Sequence, residues 1–431
     1  MRPRRALAAI AAIATVVAAA WSCAGRREPG VERIELWGLG SEGEVVAELL
    51  PEFERRNPGI RVTLQQIPWI AAHEKLLTAY AGDATPDVAQ MGNTWIPEFV
   101  TVRGLADLTA FARATPAIDG HDDFPGIRAT NRVDGVLYGI PWYVDTRVLF
   151  YRSDVLAEVG FDHAPRTWSE WTEAMARIER QHRARFAILM PTNEFEPIET
   201  LAMSNGSRFL DATGTRGAFE EPAFRDAFRW YVDAFRRGFA PVVGNTQIAN
   251  LYQQFAQRDF AMHITGPWNV GEFKRRLPPE MAGKWATAPL PARDASAPTG
   301  VSMAGGSSLV VFRASRHQAA ARRLIAFLSE PARQVRFFER TGDLPARRSA
   351  WSDPLLERDP YFPAFRRQLE RVEPFPQVPE WEQIATAISQ HGEAAVRGAA
   401  TTDAALADLD RVVDDILAKR RWVLARARAA R

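Results

Sequence analysis

"RIELWGLGSEGEVVAELLPEFERRNPGIRVTLQQIP", residues 33–68, contains two short alternating runs on either side of one long helical pattern. In "RIELWGL", 33–39, apolar Ile34 and Leu36 alternate with charged neighbours, which predicts a strand. Val45, Val46, Leu49, Leu50 and Phe53 then recur at helical spacing, with Ser41 or Glu42 near the N-cap and "NPG" as the stop. Pro51 sits inside that helix and is expected to bend it. "IRVTLQQIP", 60–68, alternates again, and "HEKLLTAYAGDATPDVAQMG" adds a helix, a turn and a third short strand at 87–91. Strand, helix, strand, helix, strand is the order of an α/β fold with a mostly parallel sheet covered by helices.

Further along, the pattern becomes helical, as in "TWSEWTEAMARIERQ" and "PAFRDAFRWYVDAFRRG", so a second, helix-rich lobe is expected. Near Trp285 to Pro291, "WATAPLPA" looks like a crossover; "GGSSLVVF", 305–312, is a strand and "HQAAARRLIAFLSEPARQVRFFER" is helical. The tail is amphipathic through Leu406, Leu409, Val413, Ile416 and Leu417, and a docked helix is the simplest expectation for it. A chain of 431 residues, 46% hydrophobic and 25% charged, has enough apolar material for two cores.

Formal net charge is +2, from 54 basic and 52 acidic side chains, so no global field favours nucleic acid. "MRPRR" followed by sixteen uncharged residues, Ala6 to Trp21, predicts an export signal. A spanning helix needs ~20 apolar residues, which makes a plain membrane anchor the lesser reading. Cys23 is the only cysteine, so an exported chain has no internal disulfide. "AWSC" resembles a bacterial lipoprotein cleavage site with Cys23 as the lipidated residue; cleavage near the Ala18–Ala20 run is the alternative. Residues 24–32 then form a polar tether.

Catalytic constellations are not apparent. The seven histidines include no helical i, i+4 pair, and neither a phosphate-cradling glycine pattern nor a Gly-x-Ser-x-Gly turn occurs. No catalytic residue, metal or cofactor is therefore expected. Thirteen tryptophans is a large number for this length, and Trp37, Trp69, Trp95, Trp142, Trp268 and Trp285 fall near strand ends or turns. Ligands of open α/β sheets bind outside strand carboxyl ends. An indole there suits the apolar face of a sugar ring, while carboxylates and guanidinium groups suit its hydroxyls. "GIPWYVDTRVLFYRS", 139–153, offers both chemistries in Trp142, Tyr143, Asp145 and Arg147, although a structural ion pair at a chain crossing is the competing reading. Glu42 and Glu44 after the first strand are either helix-terminal charges or hydroxyl acceptors, and Asn93 and Trp95 follow the third strand similarly. Asp145→Ala is expected to weaken sugar binding more than tenfold (~1.4 kcal/mol) and to leave unliganded melting nearly unchanged.

"LPEFERRNPGIRVTL", "TPDVAQMGNTWIPEF", the block "LYGIPWYVDTRVLFYRSDVLAEVGFDHAPRTWSEW", "FAQRDFAMHITGPWNVGEF" and "AGGSSLVVF" together resemble bacterial extracellular solute-binding proteins of family 1, the sugar-binding components of ABC importers. The resemblance covers nearly all of the chain beyond the leader. It implies a type II, maltose-binding-like fold: two α/β lobes joined by a multi-strand hinge, with a sugar held between them and delivered to a membrane permease. The lobes implied are 33–142 plus 287–328 and 147–284 plus 331–431, with crossings near Tyr143 to Arg147, Trp285 to Leu290 and Leu328 to Pro331. By motif position, Tyr143 and Asp145 are similar to ligand contacts, Glu42 or Glu44 to an acidic contact, Trp268 to an aromatic platform, and Gly305, Gly306 and Ser307 to a backbone-lined wall. Arg347 in "LPARRS" and Trp381 in "PEWEQI" complete the candidates. A monomer in the periplasm or cell envelope, lipid-anchored through Cys23, is implied. The alternatives are a secreted glycosidase or a binder of another polyhydroxyl solute.

Overall fold

The computed structural model describes residues 30–429 apart from 119; the leader and Cys23, with the expected tether up to residue 29, lie outside it. Strands β1 (Glu32–Leu39), β2 (Ile60–Ile67), β3 (Val88–Gly92), β4 (Gly139–Asp145) and β5 (Val148–Arg152) are followed by β6 (Phe186–Leu189) and β7 (Phe260–Thr265). Then come β8 (Trp285–Ala288), β9 (Gly305–Val311) and β10 (Leu344–Pro345). They form two sheets, of order β10-β4-β9-β3-β1-β2 and β8-β5-β7-β6.

The opening stretch folds as its pattern predicts. β1 pairs in parallel with both β2 and β3. Between β1 and β2, α1 (Gly40–Arg56) buries Val46, Leu49, Leu50 and Phe53, each side chain contributing about 1.5–3 kcal/mol relative to exposure. α1 continues through Pro51, and no side chain caps its start: Leu39 occupies the cap position, and its N–H donates to Gln90 Oε1 at 2.8 Å. α2 (Trp69–Ala81) covers the same sheet through Ala72, Leu76 and Ala79. The second lobe carries α3 (Trp168–Arg180), α4 (Glu196–Ser204), α5 (Pro222–Arg236) and α6 (Trp268–Arg276).

The chain passes from one sheet to the other in two residues. Asp145 pairs with Gly305 in the first sheet and Val148 pairs with Thr265 in the second. Ser302 Oγ clamps this crossing, accepting from Arg147 N at 3.1 Å and donating to Arg147 O at 3.0 Å. The return crossing comes later than expected, because Trp285–Ala288 is a strand of the second sheet paired with β5.

The third crossing also differs from expectation. Pro331, lacking an N–H, ends the predicted long helix and starts another, giving α7 (Gln318–Leu328) and α8 (Pro331–Thr341). Both pack on the first lobe: Leu328 and Phe337 share a core with Ile34, Leu49 and Phe53, and Arg340 pairs with Glu48 at 2.8 Å. Leu344 in β10 then pairs with Val144. Residues 331–345 therefore belong with the first sheet, not with the second lobe, and the chain leaves that sheet only after Pro345. Beyond it, Tyr361 O accepts from Thr287 Oγ1 and Gln368 Oε1 from Leu290 N, tying the helix Phe362–Leu369 to the second lobe. Val144, Val148, Ala304, Leu344 and Phe362 join one core that runs through the junction. The tail packs as α9 (Trp381–Val396), α10 (Thr402–Ile416) and α11 (Ala418–Ala429), two helices where one was expected after residue 401.

Candidate functional site

The register of the first sheet brings strand ends together. Ser307 in β9 lies opposite both Gly92 and Tyr143, and Gly305 opposite Asp145, so the ends of β3 and β4 and the start of β9 share one edge. Gly306 makes this possible: its φ is +111°, and a Cβ there would stand 2.3 Å from Tyr143 O. Gly305 is constrained by Met303 Cε, 2.6 Å from where a Cβ would be. The glycine pair thus answers to close strand approach next to a bulge at Ser307/Ser308, which accounts for it without any ligand-facing wall.

On this edge two polar clusters form. In the first, Glu42 stands in the opening turn of α1, where the helix dipole favours a carboxylate. Trp69 Nε1 donates to both its oxygens at 3.1 and 3.2 Å, and Tyr143 OH donates to Oε1 at 3.1 Å. Gln90 lies beneath, donating to Tyr143 OH at 3.3 Å and Ser307 Oγ at 3.4 Å. Burial, and then the charges of Asp343 and Glu42, hold the Tyr143 hydroxyl well above its usual pKa, so it stays a proton donor.

Arg147 organises the second cluster. It grips both oxygens of Asp145 at 2.9 and 2.8 Å and donates to Glu196 Oε1 at 2.6 Å, while its guanidinium lies 4.7 Å from the centre of the Trp268 ring. Burial raises the Asp145 pKa and Arg147 opposes that rise; for Arg147 itself the two carboxylates outweigh burial and keep it cationic. Glu196 owes its position to the first turn of α4, at whose start Pro197 sits. Trp268, 41% exposed, leans over Gly266, whose missing side chain leaves room for the indole: a Cβ would stand 2.0 Å from it. His263, one strand away, donates from Nδ1 to Leu189 O at 3.0 Å and is kept neutral, its pKa lowered to about 4 by burial and then by Arg147.

Asp343, just after the left-handed Gly342 that ends α8, relates the two clusters. Burial, then repulsion from Glu42 and from Asp145, pushes its carboxyl well above the usual range. Beside these residues a cleft of about 770 Å³ opens between the lobes, walled by Ser41 and Val45 of α1, Trp268 and Gly271 of α6, and Thr341 of α8 with Gly342 after it. That volume lies within the ~300–1,000 Å³ of small-molecule sites.

The remaining sequence candidates lie elsewhere. Trp37 is buried between β1 and α2, its Nε1 donating to Glu35 and its ring under Lys75. Trp142 is core, 4.4 Å from Phe337, and Trp381 is core, stacked on Phe375. Arg347 is buried and tied to Asp122 and Asp123, which is also held by Arg128. Asn93 is buried with Oδ1 accepting from Ser308. Trp95 packs edge-on to Trp69 over Gly92, and Glu44 is an exposed partner of Gln66. Gln90, Glu196 and Asp343 were not among the candidates, and Trp69 was noted only as one of the tryptophans near strand ends. Of these, Glu196 was signalled by the acidic run "NEFEPIE" at a helix start, and Asp343 by "TGD" after a helix stop.

Known proteins share this frame. The sugar-binding protein MalE of Xanthomonas citri is 47% identical, with a TM-score of 0.89 over 91% of this chain and 99% of that one. A binding protein of Brucella abortus is 26% identical across 88% of this chain and 90% of its own. An arabinooligosaccharide-binding protein of Halalkalibacterium halodurans is 25% identical across 71% and 68%. With two α/β lobes, an inter-lobe cleft and a match to the family model over residues 38–335, the chain belongs to the bacterial extracellular solute-binding proteins.

Proposed function

We propose that the solute is a sugar or oligosaccharide, captured between the lobes and handed to the permease of an ABC importer. The observation that carries this reading is the pairing of a half-exposed indole, Trp268, which lines the cleft, with a guanidinium packed against that ring and fixed by two carboxylates. A flat apolar face beside oriented donors and acceptors matches a pyranose. Asp145 and Glu196, both bound to Arg147, orient hydroxyls; their shared pairing leaves neither poised as a general acid or base. The names of the Xanthomonas citri and Halalkalibacterium halodurans proteins support the same ligand class.

Binding works by closure. Several hydrogen bonds to charged groups at about 1.5–3 kcal/mol each, with one stacked ring, supply the ~8 kcal/mol of a micromolar complex after ordering costs. The ligand draws the lobes together by its differential affinity for the closed form. The division implied is residues 32–145 with 305–345 in one lobe, and 148–288 with the chain beyond 346 in the other. We further propose a monomer exported to the periplasm and tethered by lipid on Cys23.

A thermal-shift screen over mono-, di- and trisaccharides tests the reading. A saccharide at about a hundred times its dissociation constant stabilises the fold by about 2.7 kcal/mol and is recovered unchanged. Stabilisation by a different solute class and by no saccharide refutes the reading, and release of reducing ends turns it into catalysis.

A further inference from the structure

α11 differs from the chain's other helices in charge and exposure. Over Ala418–Ala429 it carries Lys419, Arg420, Arg421, Arg426 and Arg428 and no acidic residue, in a chain whose formal net charge is only +2. Two of these cations hold the helix to the body. Arg420 Nε donates to Gly214 O at 3.0 Å and Arg421 Nη1 to Thr215 O at 2.8 Å. The nearby carboxylates are also engaged, Asp414 by Arg216 and Arg421 and Asp415 by Arg411.

The opposite side of the helix is left to solvent. Lys419, Trp422, Val423 and Arg426 fall at i, i+3, i+4 and i+7, which is one face. Trp422 is 58% exposed and Val423 47%, two of the few large apolar side chains so placed among the described residues. Arg426 stacks on the Trp422 ring at 4.6 Å, so that cation and indole present together. A surface that bound another folded protein through its apolar residues would be expected to gather them into a wider patch. One indole and one valine bracketed by cations, on a helix about 18 Å long, instead match the interface of an anionic bilayer. There indole sits at headgroup level and Lys or Arg pairs with phosphate. No described helix is long and apolar enough to cross a membrane, so contact of this kind lies along the surface.

We propose that α11 docks the protein on anionic phospholipid through Lys419, Trp422, Val423 and Arg426. The contact is weak alone, each basic side chain near such a surface changing affinity about fivefold. It adds to any tether elsewhere in the chain by restricting the protein to the bilayer face.

The test uses the full exported chain, floated with phosphatidylcholine vesicles and with vesicles containing about one-third phosphatidylglycerol. A lipid-modified chain partitions to both, so the readout is the excess on anionic vesicles. The expected result is an excess that disappears at high salt. The combined variant Lys419→Ala, Trp422→Ala, Arg426→Ala should lose about tenfold or more of it, with unchanged melting and saccharide affinity because these side chains face solvent. An equal distribution between the two vesicle types, or an excess undiminished in the variant, overturns the proposal. So does a variant that keeps the excess but fails only when permease is present, which would make the face a protein contact.

Discussion

Asp145→Asn separates the two jobs assigned to the crossing between the lobes. The substitution keeps the shape and one carbonyl acceptor while removing the charge that Arg147 grips at 2.9 and 2.8 Å. Side chains 19% and 11% exposed are only partly screened, so the pair stands between a surface bridge and a buried one. A hydrogen bond between charged groups contributes about 1.5–3 kcal/mol. One such bond is lost, and Glu196 still holds the guanidinium at 2.6 Å, so the expected destabilisation is about 2 kcal/mol. For a cooperative unit of roughly 150–250 residues that lowers Tm by about 4–8 °C. The sequence-based expectation of nearly unchanged unliganded melting, made for Asp145→Ala, is revised on this ground: the carboxylate is part of the scaffold as well as of the candidate site.

Affinity is the second readout. Calorimetry with the saccharide found in the screen should show a loss of about tenfold or more, about 1.4 kcal/mol, because Asn presents a weaker acceptor and no longer orients Arg147 from two oxygens. Differential scanning of the unliganded protein measures the first effect independently. An unaltered Tm refutes the account of Arg147 as a clamped guanidinium. A lowered Tm with full affinity confines Asp145 to structure and refutes its place in the site.

Trp268→Ala tests the platform with the opposite profile. The ring is 41% exposed and its contact with Arg147 at 4.7 Å is worth about 0.5–1 kcal/mol, so unliganded melting should move by no more than ~4 °C while affinity falls about tenfold or more. Equal affinity for the variant removes Trp268 from the site. Glu199→Gln, three residues after Glu196 in α4, probes the carboxylates of that helix through pH. Glu199 is fully buried with both oxygens unpartnered, and burial, then Glu196 and Glu382, raise its pKa well above 4.5 against the attraction of Arg147. A carboxyl raised in the folded state binds more protons there than when unfolded, so its contribution falls as pH climbs from the usual value through the raised one. The variant should therefore lose less Tm than the parent between pH 5 and 8, a difference in which unchanged groups such as His263 cancel; superimposable pH profiles would contradict it.

How far the sequence discloses such a site depends on the range of the contacts involved. Residues 33–91 were legible as strand, helix and strand because period and punctuation are local properties, and burial of Leu49 or Phe53 follows from spacing alone. Asp145 and Arg147 were legible because they stand two positions apart and aromatics surround them. Their third partner, Glu196, stands 49 positions away, and Gln90 reaches Tyr143 across 53 and Ser307 across 217. No local pattern carries those pairings, and the two made by Gln90 exist only once Gly306 has let β9 close on β4. The tryptophans show the same limit from the other side. Trp37 and Trp69 both flank the edge where the site forms, and β-pleat sends the first into the packing against α2 while the start of α2 turns the second onto Glu42. A residue type near a strand end is thus only an address. Which chemistry it performs is decided by register, and register here depends on a glycine whose side of the sheet has no room for a Cβ.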